Sequence, residues 1–343
     1  MSTKSTINVI YQFNEKYVPY AGVSITSLLV NNKESSVNII ILGEGLSDTS
    51  KDMLEKTASG YGANIVFPDT SPLIARFKDL GMLPYRGAYS VYLRLFFSEI
   101  PELSDLCGQR AIYLDADTIV DKSLLPLVEY DLGEKSVGMV LESIRDDYKV
   151  MIGMSPDSDY YNSGVILFDV DGWRSNGYCD RIVDHIRNVR STYIGDQDFL
   201  NIVCEGDVCK LPPAYNFQPL HARYSPRQYF GVYGSDGYYT PALVEDARSG
   251  ATVYHCYRWL GEFPWNSKNL HPFNDLFDKY KAMSLWKDQN KEAAGTGFVL
   301  KVEKLLYMIL PRYVFIRIFK LTHELMLKKA EADARASRVN ERS

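Results

Sequence analysis

With 343 residues, 46% of them hydrophobic and 24% charged, the chain has a globular composition and room for one large α/β domain or two smaller ones. A net charge of −5 argues against nucleic acid as the main partner, and five cysteines without framework or zinc-like spacing point to a reducing compartment. The charge is uneven: residues 298–343 hold ten Lys or Arg against five Asp or Glu, a local +5, which leaves −10 on the rest.

In chain order, the first residues carry no leader pattern and enter an apolar strand at Ile7–Phe13, so a cytoplasmic protein is expected. A helix over Pro19–Asn31 follows, with Val23, Ile25, Leu28 and Leu29 largely on one side. Val37–Leu42 is apolar throughout, as buried parallel strands are. A polar amphipathic helix (Ser47–Ser59) and a short strand (Asn64–Phe67) complete a βαβαβ start, the mark of a doubly wound, mainly parallel sheet. A helical stretch over Val91–Phe97 leads into the strand Ala111–Leu114, which stops at two aspartates and resumes at Thr118–Val120.

Side chains alternate along a strand, so Asp115 and Asp117 are expected to point the same way. Two carboxylates converging at the end of a buried strand repel unless a cation lies between them, and oxygen ligands of this kind suit Mg²⁺ or Mn²⁺. The bare pattern is unspecific, because Asp157-Ser-Asp159, Asp169-Val-Asp171 and Asp196-Gln-Asp198 match it too. Only the pair at 115 and 117 lies between two apolar runs.

Val137–Leu141 is a further strand, and 143–160 a polar loop. Tyr161–Val170 is a strand opening on Asn162-Ser163-Gly164, and a helix from Trp173 to about Arg190 precedes Gly195-Asp-Gln-Asp198, which caps a helix to Cys204. Residues 214–250 are rich in Tyr, Gly and Pro with little periodicity, the character of a functional loop. Thr252–Cys256 is a last strand, whose His255 could add a nitrogen ligand to the same cation; Asp275–Lys287 is a helix and 288–297 a linker. In open α/β sheets, ligands bind beyond the carboxyl ends of the strands at a switch in strand order. The aspartates and the loops near 162 and 196 are expected to gather there.

Five stretches in this order carry a resemblance: the first strand with Tyr17 and the Ser24-Ile-Thr-Ser27 helix; Tyr92-Leu-Arg94-Leu; Tyr113–Val120; Tyr160–Trp173; and Asp196–Asn201 followed by His255 and Pro264-Trp265. Together they resemble the retaining nucleotide-sugar glycosyltransferases of family 8, a GT-A fold group that includes lipopolysaccharide galactosyl- and glucosyltransferases and glycogenin. The resemblance covers about residues 7–287. It implies a metal-dependent enzyme that moves glucose or galactose from a UDP-sugar to a glycan of bacterial lipopolysaccharide or capsule. Mn²⁺, or Mg²⁺ in its place, would be held by Asp115, Asp117 and His255. Asn14, Tyr17, Arg94, Asp115 and Asn162 would meet the donor, Asp196 and Gln197 would stand at the sugar's reacting face, and Glu142 would lie near the acceptor. A helix cap explains Asp196 equally well. Gln197, a neutral amide, is a poor nucleophile, which favours front-face substitution over double displacement.

Two departures stand out. Asn14 replaces the aspartate usual in the base-reading loop, and His-Cys-Tyr-Arg-Trp-Leu-Gly-Glu-Phe-Pro-Trp (255–265) carries Phe263 where the family has a diphosphate-binding lysine. Arg258 is the nearest replacement cation. Two other readings compete: a sugar nucleotidyltransferase, disfavoured by the absence of glycine in Gln12–Lys16, and a carbohydrate- or membrane-binding protein without turnover.

The domain expected at 1–287, with its acceptor side near 214–250, is followed by a basic amphipathic tail at 298–343. Apolar residues at 302, 305, 306, 309, 310 and 313 share a helix face, with Arg312, Arg317 and Lys320 nearby. The run is too short and too charged to span a bilayer. It suits a helix lying in an anionic membrane interface through 298–329, which would make the protein peripheral on the inner face of the cell membrane.

Overall fold

A computed structural model describes residues 5–322 apart from 86, 107–108, 189–194, 234–237, 296 and 320. The expected βαβαβ start is present: β1 (Thr6–Asn14), a helix over Val18–Asn31, β2 (Ser36–Glu44), a helix over Asp48–Ser59 and β3 (Asn64–Val66). Ile7 to Phe13 are buried on both faces of β1, which places this strand inside the sheet. β4 (Arg110–Asp115), β5 (Thr118–Val120), β6 (Val137–Leu141), β7 (Tyr161–Asp169), β8 (Val208–Lys210) and β9 (Val253–His255) follow.

The main sheet has the order β3-β2-β1-β4-β7-β6-β8. β1 pairs in parallel with both β2 and β4, so the chain switches direction across the sheet between these neighbours, and Gln12 stands in register with Asp115 beside that crevice. β7 runs antiparallel to β4 and β6. The reversal decides the site, because it brings the start of β7 to the edge where β4 ends: Leu114 pairs with Val165, next to Asn162–Gly164.

β5 leaves this sheet and pairs antiparallel with β9, Thr118 opposite His255. The Ser24 and Ser27 hydroxyls fasten this ribbon: Ser24 Oγ lies 3.2 Å from Thr118 Oγ1, and Ser27 Oγ accepts from the Val120 amide at 2.9 Å.

Several elements differ from expectation. The helical stretch expected at Val91–Phe97 is present as a 3₁₀ helix over Ser90–Glu99, but the helix expected to begin at Trp173 is two, Val170–Ser175 and Tyr178–Asn188, broken at Gly177 with φ +61°. The expected loop 143–160 contains a helix over Asp146–Met151, and the expected loop 214–250 contains helical turns at Pro213–Tyr215, Pro219–Arg223, Pro226–Tyr233 and Pro241–Gly250, each opening on proline. Proline's fixed φ starts a helix without needing its missing N–H. Within 288–297, Glu292–Ala293 pairs with Asn266–Ser267.

The tail helix Phe298–Ile309 is amphipathic, but it uses two faces. Leu306, Tyr307 and Leu310, with Phe315 and Ile316 beyond, pack against Tyr224, Trp259 and Leu260. The opposite stripe of Phe298, Val302, Leu305 and Ile309 is exposed, as is Tyr313. The apolar face expected from spacing is therefore divided, with 306 and 310 turned inward. Residues 323–343 lie outside the described residues. Among the described residues, no helix is long and apolar enough to cross a membrane.

Candidate active site

β4 stops at Asp115, and Ala116-Asp117 form a turn. The two carboxylates converge through that turn, not through the alternation of a continuous strand. The amide of Cys256 donates to the Asp117 carbonyl at 2.7 Å, which brings β9 alongside. His255 Nε2 then lies 3.5 Å from Asp115 Oδ2 and 3.3 Å from Asp117 Oδ1. Ligand atoms of all three residues fall within 4.8 Å of one another. Two carboxylate oxygens and one imidazole nitrogen at this spacing fit a divalent cation with oxygen–nitrogen preference.

Burial alone would raise the Asp115 carboxyl, but Arg94, His255 and the Tyr113 hydroxyl outweigh it and hold it at about 2. Burial would lower His255, yet Asp117 and Asp115 push it up to about 10.

Arg94 lies beneath this cluster, 3% exposed. Its guanidinium donates to Asp115 Oδ1 at 3.2 Å and to Ser163 Oγ at 2.9 Å, makes a close ion pair with Asp196, and lies 4.3 Å from the centre of the Tyr113 ring. Gln12 fixes the turn that bears it: Gln12 Oε1 accepts from the Arg94 amide and Nε2 donates to the Val91 carbonyl, both at 2.8 Å. Asp196 opens its helix after Gly195, whose φ of +59° suits glycine. It does not cap that helix: its carboxylate turns to Arg94. Burial pushes Asp196 up to about 6 against the pull of Arg94.

A cavity of about 250 Å³ opens above, lined among others by Asn14, Tyr17, Arg94, Asp115, Asp117 and Asp196. Asn14 Oδ1 accepts from the Lys16 amide at 3.2 Å, which caps the short turn carrying Tyr17. Gln197 stands behind the wall: Oε1 accepts from the Ser163 amide at 3.0 Å and Nε2 donates to the Tyr160 hydroxyl at 3.3 Å. Tyr160 in turn donates to the buried carboxylate of Asp198 at 2.7 Å.

Asn162 and Glu142 form a second group, joined at 2.5 Å, and burial raises the Glu142 carboxyl against the hydrogen bond from Asn162. Arg258 is exposed and sits 5.3 Å over the Phe263 ring. Phe263 stacks on Trp265 at 4.3 Å, and Trp265 on Tyr20 at 4.0 Å. Phe263, Trp265 and Tyr20 thus form a column of stacked rings.

The sequence model described as Glycosyl transferase family 8 matches residues 8–233. The chain belongs to glycosyl transferase family 8. It is 23% identical over 291 residues to General stress protein A of Bacillus subtilis, covering 83% of this chain and 96% of that one. It is 25% identical over 223 residues to a lipopolysaccharide 1,2-glucosyltransferase of Escherichia coli K12, covering 63% of each chain. Among solved structures it is similar to the galactosyltransferase LgtC in complex with donor and acceptor sugar analogs, with a TM-score of 0.67, 23% identity, and coverage of 81% of this chain and 96% of that one. The fold of this family 8 glycosyltransferase is of the GT-A type.

Gln12, Tyr113, Ser163 and Asn216 were not legible as site residues. Gln12 and Tyr113 read as interior strand positions, and only the pairing of Gln12 with Asp115 reveals the first. Asn216 lies in the stretch without periodicity, and reaches His255 because Phe217 hydrogen-bonds to β9 through Val253 and His255.

Proposed function

We propose that this glycosyltransferase moves glucose or galactose from a UDP-sugar, with retention at the anomeric carbon, to a glycan acceptor of bacterial surface polysaccharide, lipopolysaccharide or capsule. The convergence of Asp115, Asp117 and His255 beside the cavity carries this reading. These three residues would hold Mn²⁺, with Mg²⁺ as a substitute, and the bound ion supplies Lewis-acid stabilisation of charge on the departing diphosphate. The name of the E. coli relative favours the pathway.

The chain's own residues divide the remaining work. Asn14 and Tyr17 line the end of the cavity suited to the base. Arg94, held by two carboxylates, keeps Asp115 ionised and leaves Asp196 an acceptor for a sugar hydroxyl. The Gln197 amide, oriented by Ser163 and Tyr160, puts a neutral dipole near the anomeric centre; without a carboxylate nucleophile there, the acceptor hydroxyl attacks from the face the diphosphate leaves and gives its proton to the departing diphosphate. Asn162 meets the donor sugar, and Glu142, bonded to it, lies on the acceptor side. Arg258, on its aromatic platform, replaces the missing lysine as the cation for the diphosphate.

The exposed stripe Phe298, Val302, Leu305 and Ile309, flanked by Lys301, Arg312 and Arg317, is read as the contact with an anionic lipid surface on the inner face of the cell membrane. Apolar side chains would enter the interface while the cations meet lipid phosphates.

The test is release of UDP from UDP-glucose and UDP-galactose with Mn²⁺ and no acceptor. Turnover with one of them, lost in Asp117→Ala by about 10²-fold or more and lost with a chelator, supports the reading. Undiminished turnover of Asp117→Ala in chelator would overturn it.

A further inference from the structure

Asn216 is absent from every role assigned above, yet it is fully buried between the cation ligand His255 and the donor-sugar residue Asn162. Its Oδ1 lies 3.0 Å from His255 Nδ1, and its Nδ2 donates to Asn162 Oδ1 at 2.7 Å. Asn162 Oδ1 also accepts from the Gly164 amide at 2.9 Å, while Asn162 Nδ2 donates to Glu142 Oε2 at 2.5 Å.

The directions of these bonds follow from one group that has no choice. A backbone N–H can only donate. The Gly164 amide therefore requires the oxygen of Asn162 to face it, which turns the nitrogen of Asn162 to Glu142. An amide oxygen cannot donate, so Asn216 must present its nitrogen to Asn162 and its oxygen to the imidazole. An oxygen there accepts, so His255 carries its proton on Nδ1. Nε2, the atom facing Asp115 and Asp117, is thereby the nitrogen left to offer a lone pair to a bound cation. The ring has no room to evade this arrangement. A Cβ at position 164 would lie 2.1–2.9 Å from the imidazole atoms, so glycine there is what admits the ring, and Tyr257 meets its other side edge-on at 5.0 Å between centroids.

We propose that Asn216 is a positioning residue that fixes the tautomer of His255 and, with the same amide, holds Asn162, so that the cation ligands and the residue that meets the donor sugar are set as one unit. The inference rests on the cation site proposed above. Its two halves separate chemically. The oxygen of Asn216 serves the imidazole, and the nitrogen serves Asn162.

Removal of both halves and removal of one give different results. In Asn216→Ala, Nδ1 loses its acceptor, and Mn²⁺ affinity, measured on the full chain by the electron paramagnetic resonance of free Mn²⁺, falls about 10–100-fold, the usual cost of losing such a partner. In Asn216→Asp an oxygen still accepts from Nδ1–H, so Mn²⁺ affinity stays within about threefold of the parent, the spread typical of a single context-dependent contact. The donor to Asn162 is gone, however, and turnover at saturating Mn²⁺ falls at least about 10-fold, as for a displaced reacting group. Two-bond ¹H–¹⁵N correlations of the histidine ring, recorded with Mg²⁺, report Nδ1–H in the parent and in Asn216→Asp. If Asn216→Ala does not fold, the split between affinity and turnover in Asn216→Asp decides alone, because equal loss of both, or loss of neither, overturns the proposal. Parent-like Mn²⁺ affinity in a folded Asn216→Ala overturns it too. Asp117→Ala is the control: if it keeps Mn²⁺ affinity, the cation site itself is wrong, whereas its loss beside an unaffected Asn216→Ala removes only the role of Asn216.

Discussion

Lys304 Nζ donates to both carboxylate oxygens of Glu262, at 2.8 and 2.9 Å, and also to the Lys268 carbonyl at 2.9 Å. Glu262 is buried, and its amide and carbonyl close a tight bridge with Trp259, four residues beyond His255. The tail is thereby fastened to the loop that follows a cation ligand. Lys304→Met leaves a buried carboxylate without its cation and is expected to cost about 3 kcal/mol of stability, read by urea denaturation. Glu262→Gln in the same chain should recover part of the loss. Deleting 298–343 should then lower donor hydrolysis as well as stability, instead of leaving an unaffected core.

The exposed stripe is predicted to act independently of that clamp. Leu305→Glu with Ile309→Glu puts two charges on an open face and should leave donor hydrolysis and melting temperature unchanged within error. Sedimentation with anionic vesicles at low salt should be lost. Co-sedimentation at the level of the parent chain would show that lipid contact lies elsewhere.

Gly164→Ala places a methyl group where the His255 ring lies. The ring must move, at about 1–3 kcal/mol for an overpacked interior, and Mn²⁺ affinity should drop at least about 10-fold as its ligand leaves. Calorimetric titration with Mn²⁺ checks this, with thermal melting run alongside.

Asp196 gives the pH dependence a sign. With its carboxyl at about 6 against an ordinary 3.8, it loses its charge, and its ion pair with Arg94, as the pH falls through 6. Turnover should show an acid limb there, and Asp196→Asn should be slow at every pH with that limb absent. For stability the sign reverses. The native state binds the extra proton between 3.8 and about 6, so this group's contribution is full below 3.8 and is lost as pH rises through 6.

Much of this was legible in the sequence because long apolar runs commit to one structure. Ile7–Phe13, Val37–Leu42 and Ala111–Leu114 are strands wherever they meet a sheet, and the aspartates ending the last of them fall at its carboxyl edge. The direction of β7 was not legible, since alternation and burial look the same in a strand of either sense. The helices of 213–250 are too short for a periodic pattern to repeat, and their opening prolines suit turns equally well. Asn216 was hidden for the same reason: its meaning comes from the bond partners of Asn162 and His255, which are remote in sequence.

The column of rings from Tyr20 through Trp265 to Phe263, with Arg258 above it, makes position 263 costly to change. A lysine placed at 263 would do more than offer a cation to a diphosphate. It would strip the stacked face from Trp265, about 0.5–1.5 kcal/mol beyond lost area, and leave the guanidinium of Arg258 without its platform. That single substitution therefore costs stability at two contacts at once, and a lysine at 263 is accommodated only with further changes among the stacked residues.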